Sequence, residues 1–97
     1  MGIISFVIPS YGNKITKTDI KNNLLRITVD YKNYFPDKSC YINVNISDCL
    51  YNVWFGYRDK KSHVISLRKE AMTNLKIKEG DLIKITLKNN IYYMEKV

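Results

Sequence analysis

Histidine, glycine, proline and cysteine are all scarce in this 97-residue chain, with one His, four Gly, two Pro and two Cys. A lone His63 and the absence of a G-x-S-x-G elbow leave no nucleophile, base and orienting group for acyl transfer. The glycines Gly2, Gly12, Gly56 and Gly80 each stand alone, which removes both the phosphate-cradling loop and the dinucleotide-binding pattern. Cys40 and Cys49 do not combine with His63 into a zinc ligand set, and they read as reduced, small apolar side chains within strands. Acidic residues number only nine, and Asp30, Asp48, Asp59 and Asp81 fall in different turns without the spacing that gathers carboxylates around a nuclease metal. No catalytic residue, metal or cofactor is expected. The apolar run IISFVI near the start is too short to span a membrane and lacks a basic flank, and Phe6 stands where a myristoylation signal has Ser or Thr. A soluble, cytoplasmic chain without a membrane partner is the expectation.

What the chain does have is positive charge. Sixteen Lys and Arg against nine Asp and Glu leave a formal +7, which in so small a domain favours a polyanionic partner. Nucleic acid leads, with an acidic protein or anionic lipid behind it. Hydrophobic content of 45% is enough for a core, and the length accommodates one domain, residues 1–97, rather than two.

Short alternating segments dominate the pattern. IISFVI reads as a first strand closed by the turn PSYGN at Pro9; KITKTDIKNN is a polar loop in which Thr18 and Asp19 suit a turn or one helical turn. LLRITVDY alternates Leu25, Ile27 and Val29 against Arg26, Thr28 and Asp30, as a half-buried strand does. After a turn at Pro36, CYINVNIS alternates again; LYNVWFGY follows a turn at Ser47 and Asp48, and HVISL leaves a basic loop. Leu67, Ala71 and Leu75 recur at helical spacing, with Ser66 as the expected cap. DLIKITL and IYYMEKV form a last hairpin about a tight Asn-Asn turn, with Tyr92 and Tyr93 facing opposite ways. Seven short strands, one or two short helices and no βαβ spacing predict a mainly β fold, an open antiparallel pseudobarrel. Trp54, a strand aromatic, is expected in its core. Asp19 and Asp81 are expected to brace turns.

Two basic loops adjoin well-patterned strands: KITKTDIKNNLLR (14–26) and YRDKKSHVISLRK (57–69). Lys14, Lys17, Lys21, Lys60 and Lys61 suit the neutralisation of phosphates, whereas Asn22, Asn23, Arg58 and Ser62 suit base edges. His63 reads as a solvated turn residue or a donor facing phosphate.

The order of several motifs carries a resemblance. K-x-T-x-T-D at Lys14 to Asp19, Arg26-Ile27, Phe35-Pro36, Trp54 with its aromatic and basic loop, and L-x-x-x-x-G-D at Leu75 to Asp81 together resemble the plant B-three DNA-binding domain. The same pseudobarrel serves bacterial restriction endonucleases as a recognition or effector domain. The resemblance implies a barrel that grips the DNA major groove between two arms. Lys14, Thr16, Thr18 and Lys21 to Arg26 would belong to the first arm, and Tyr57 to His63 to the second. Thr28-Val29 in place of the plant Ile-Pro step, a shorter segment from Arg26 to Phe35, and Glu70-Ala71-Met72 in place of Gly-Trp favour the shorter prokaryotic branch. The implied role is sequence-specific binding of double-stranded DNA, with any nuclease activity in a fused or associated chain. Two other classes stay open: a bacterial or phage inhibitor that lays its basic face on an acidic partner, and a small-barrel binder of single-stranded nucleic acid.

Overall fold

The computed structural model describes residues 3–8, 14–27 and 29–97, without the side chains of Val29 and Asp30. The expected PSYGN turn, Gly2, Thr28 and the Asp30 carboxylate therefore lie outside the described residues. Along the chain come β1 (Ile4–Ile8), α1 (Lys17–Lys21), β2 (Leu24–Ile27), a 3₁₀ segment (Val29–Tyr34), β3 (Cys40–Ile46), β4 (Cys49–Gly56), β5 (His63–Ser66), α2 (Lys69–Leu75), β6 (Ile83–Lys88) and β7 (Ile91–Lys96). The strands form one seven-stranded sheet in the order β1-β6-β7-β3-β4-β5-β2. It curls around a single apolar cluster into the expected mainly β pseudobarrel, open between its edge strands β1 and β2. One ladder departs from the antiparallel expectation: β3 and β7 run parallel, joining the two halves of the chain.

Strand alternation builds the interior. Ile42, Val44 and Ile46 of β3, Val53 and Phe55 of β4, and Ile65 of β5 all point inward and are buried, while Tyr41, Asn43 and Asn52 face out. Hairpin turns follow local chemistry. Ser47 and Asp48 join β3 to β4, and Asn89 and Asn90 join β6 to β7, with φ of 50°, 66°, 52° and 64° in turn. Short polar side chains tolerate this left-handed backbone, and two such residues match the twist of the flanking strands. Tyr92 is buried and Tyr93 exposed, as their adjacency requires.

The second strand is shorter than its alternation implies. It stops at Ile27, and residues Val29 to Tyr34 tighten into a 3₁₀ segment instead of continuing to Tyr31. Packing is the reason. A 3₁₀ turn places residues three apart on one side, so Tyr31 and Tyr34 both stack on Phe6, with centroids 4.7 and 5.2 Å away. Phe35 then stacks on Tyr92 at 4.6 Å and on Phe55 at 5.3 Å. The Tyr92 hydroxyl donates to the Tyr34 carbonyl at 2.8 Å, and burial, helped by the Cys40 charge, pushes its phenol up to about 12.

Three further expectations change. Ser66 does not cap α2: it stays in the ladder between Leu24 and Trp54, and Arg68 occupies the cap position without a side-chain bond. Cys49 is exposed and Cys40 half-buried, so neither is a core side chain; both are free thiols. Trp54 is 42% exposed, because Val53 and Phe55 claim the inward positions of β4. Its ring meets the cross-strand Tyr41 edge-on at 5.1 Å, and its Nε1 lies 3.9 Å from the point that a Gly56 side chain would occupy. Among the described residues no helix is long and apolar enough to cross a membrane.

Phe55 has no exposed surface and joins the aromatic stack to the aliphatic core. Phe55→Ala should cost about 3–5 kcal/mol, read as a lowered urea midpoint. A midpoint unchanged from that of the parent chain would refute this view of the core.

Candidate nucleic-acid interface

The first basic loop is mostly a helical turn held by its own side chains. Thr16 Oγ1 accepts from the Asp19 amide and Asp19 Oδ2 accepts from the Thr16 amide, both at 3.1 Å, a reciprocal cap that satisfies two orphan helix donors. Asp19 is buried; its second oxygen, Oδ1, has no well-formed hydrogen bond but lies 3.1 Å from Arg26 Nε. The ion pair thus ties the start of α1 to β2. Asp19 braces its turn as expected, and so does Asp81, which accepts from the Lys78 amide at 2.7 Å and pairs with Lys96. Thr16 is committed to the cap, while Lys14, Lys17, Thr18, Lys21 and Asn22 are exposed. Asn23 takes a left-handed φ of 57°, and its carbonyl accepts from the Leu67 amide at 2.8 Å.

The second loop spans Tyr57 to Ser62 between β4 and β5. The Tyr57 amide donates to Ser39 Oγ at 2.9 Å, and Lys32 Nζ donates to the Arg58 carbonyl at 3.3 Å. Arg58, Lys60 and Lys61 are exposed and Ser62 half-buried, with Lys60 left-handed at φ 61°.

His63 is not a turn residue. It opens β5 with 2% of its surface exposed, between Phe55 and Tyr57, and its Nδ1 accepts from the Arg58 amide at 3.1 Å. An imidazole buried in this way has no surface to offer phosphate; it anchors the loop from beneath. Burial first, and the nearby Lys32 ammonium second, hold its pKa below the usual histidine value. The neutral form is also the one the hydrogen bond demands, since a protonated Nδ1 cannot accept. The parity of His63 with Ile65 and Leu67 is the sequence signal for this burial.

The β2–β5 ladder sets where the two loops sit. Leu24 pairs with Ser66 and Ile27 with His63, so the first loop runs into β2 at one end of the ladder and the second runs into β5 at the other. Arg26, on β2, lies between them with its side chain 57% exposed, beside Val64 and Ser66 and in line with the Gly56 row of β4. The outward Trp54 and Tyr41 extend this face across β4 and β3. The sequence placed Trp54 in the core, although its shared parity with Asn52 and Gly56 is an outward signal. Among the described residues the ion pairs are Arg26–Asp19 and Lys96–Asp81, and neither involves a lysine of the two loops.

No protein-family model and no curated protein matches the chain. The solved structure of a hypothetical Arabidopsis thaliana protein is similar to it, with a TM-score of 0.71 over 99% of this chain and 91% of that one, at 12% identity. The two share a fold.

The neutral His63 makes stability pH-dependent with a definite sign. Between its lowered folded pKa and the unfolded value near 6.5, the unfolded chain binds more protons. Its contribution is therefore present above about pH 6.5 and lost as pH falls toward the folded value. Melting temperatures taken from pH 7.5 down to 5.5 should fall more steeply for the parent chain than for His63→Gln. Parallel curves would contradict the assignment.

Proposed function

We propose that this chain is a B-three-like recognition module that binds double-stranded DNA sequence-specifically through its two basic loops. In this reading it works in the cytoplasm as part of a bacterial restriction nuclease or a related DNA-binding protein, and does no chemistry itself. One observation carries the reading: two lysine-bearing loops at opposite ends of a single four-residue ladder. At about 3.4 Å per residue, the step from Leu24 to Ile27 is roughly 10 Å, and the B-DNA major groove is about 12 Å wide. Loops separated by that distance suit the two walls of one groove.

The roles divide by chemistry. Lys14, Lys17, Lys21, Lys60 and Lys61 neutralise phosphates and supply affinity without sequence information. Arg58, Asn22, Asn23 and Ser62 reach base edges, and Arg26 faces the groove between them. Lys60 supports this division. Its left-handed backbone suits Gly or Asn better than Lys, and a phosphate contact by the ammonium group offsets that local cost. Thr16 and His63 hold the loops rather than touch DNA.

The exposed Tyr41–Trp54 pair favours a second reading, a single-stranded ligand whose bases stack on these rings.

Selection of duplexes from a random pool at near-physiological salt tests the first reading, with an unstructured single strand as competitor. Enrichment of a short duplex motif is the expected result. Binding of the single strand alone would favour stacking, and retention of neither would move the basic face to a protein partner. Within the first reading, Arg58→Ala should lose about 1–3 kcal/mol of affinity and relax preference at one base pair, while Lys60→Ala weakens all duplexes alike. An Arg58→Ala chain with unchanged affinity and motif would remove that residue from the contact set.

A further inference from the structure

Beside the first loop, between α1 and α2, runs an open groove of about 470 Å³ lined by Lys21, Asn23, Lys69, Thr73 and Lys76 over an apolar floor that includes Met72. It adjoins the proposed interface: the bond from the Leu67 amide to the Asn23 carbonyl fixes the start of α2 against the end of the first loop. All three lysines are exposed, and neither ion pair of the described residues includes them.

Helix electrostatics explain only part of this cluster. Lys21 in the last turn of α1 and Lys76 at the end of α2 complement the negative ends of their helices. Lys69 does the opposite. It is the first residue of α2 and follows Arg68 at an uncapped start, so two cations face the positive end of the helix, with only Glu70 in that turn to offset them. Lys76 also takes a left-handed φ of 57°, where Gly or Asn is favoured at a helix end. The helix dipole disfavours lysine at position 69 and the left-handed backbone disfavours it at position 76; what the two share is the groove.

We propose that this groove holds backbone phosphates of the same duplex, beyond the base pairs spanned by the two loops. The inference rests on the duplex-binding reading. Ammonium groups are compact point charges suited to phosphate, and the Thr73 hydroxyl adds a donor. The groove is open rather than enclosed, so a continuous sugar–phosphate strand passes along it. Such contacts add affinity and fix the register of the protein on DNA without reading bases.

The test is the salt dependence of duplex affinity for the full chain carrying Lys69→Gln and Lys76→Asn, the second chosen because Asn tolerates the left-handed backbone. Each phosphate contact contributes about 0.9 to the slope of log K against log salt, so the slope should become shallower by about 1.8 between about 50 and 200 mM salt. The selected motif should stay the same, and the melting temperature should equal or exceed that of the parent chain. An unchanged slope in a variant whose parent binds DNA overturns the groove assignment and leaves the duplex reading intact; a changed motif overturns its restriction to phosphate. A parent chain that retains no duplex at the lowest salt overturns both.

Discussion

The β2–β5 ladder is the constraint on which the rest of this protein depends. It is four residues long, lies at the open edge of the barrel and has a basic loop at each end. Leu25 and Ile27 on one strand and His63 and Ile65 on the other are buried, so the pair is held by the core as well as by its own hydrogen bonds. Since side chains alternate strictly along a strand, a shift of one residue would turn Arg26 inward and Ile27 outward. Register, burial and the spacing of the two loops are thus one property.

Each loop is secured by a buried polar group rather than by its tip. Asp19 holds the first through its cap and its pairing with Arg26; His63 holds the second through the Arg58 amide. Both groups are nearly inaccessible, and an unpartnered polar group at such a site would be costly. The loops therefore present charge from a firm base, which limits the ordering penalty when a partner binds. Arg26 serves two ends, since the exposed part of its guanidinium remains available while Nε faces the Asp19 carboxylate.

Positive charge in this chain sits where stability alone would not put it. Lys60 and Lys76 occupy left-handed positions, and Arg68 and Lys69 begin a helix. The left-handed backbone costs a residue with a Cβ about 1–2 kcal/mol, and a cation at a helix start costs a few tenths to about 1 kcal/mol. Natural sequences break local rules at functional sites and compensate elsewhere. The compensation here is an aromatic and aliphatic interior drawn from all seven strands.

Much of this fold was legible in the residues themselves. Period-two alternation in β3 and β4, the Asn-Asn turn, the helical spacing of Ala71 and Leu75, and the bracing roles of Asp19 and Asp81 all follow from local rules that need no partner. Where several elements compete for one place, local rules fail. The end of β2 was settled by Phe6, which collects Tyr31 and Tyr34, and the outward turn of Trp54 by Val53 and Phe55 taking the interior. The parallel β3–β7 ladder joins distant parts of the chain, and no turn chemistry specifies such a pairing. For the candidate site, the sequence by itself determined which loops carry the charge, because side-chain chemistry is local. Tertiary structure decided that His63 is buried, that the two loops stand at opposite ends of one ladder and that Lys69 and Lys76 share a groove with Lys21, because burial and distance belong to the packed chain.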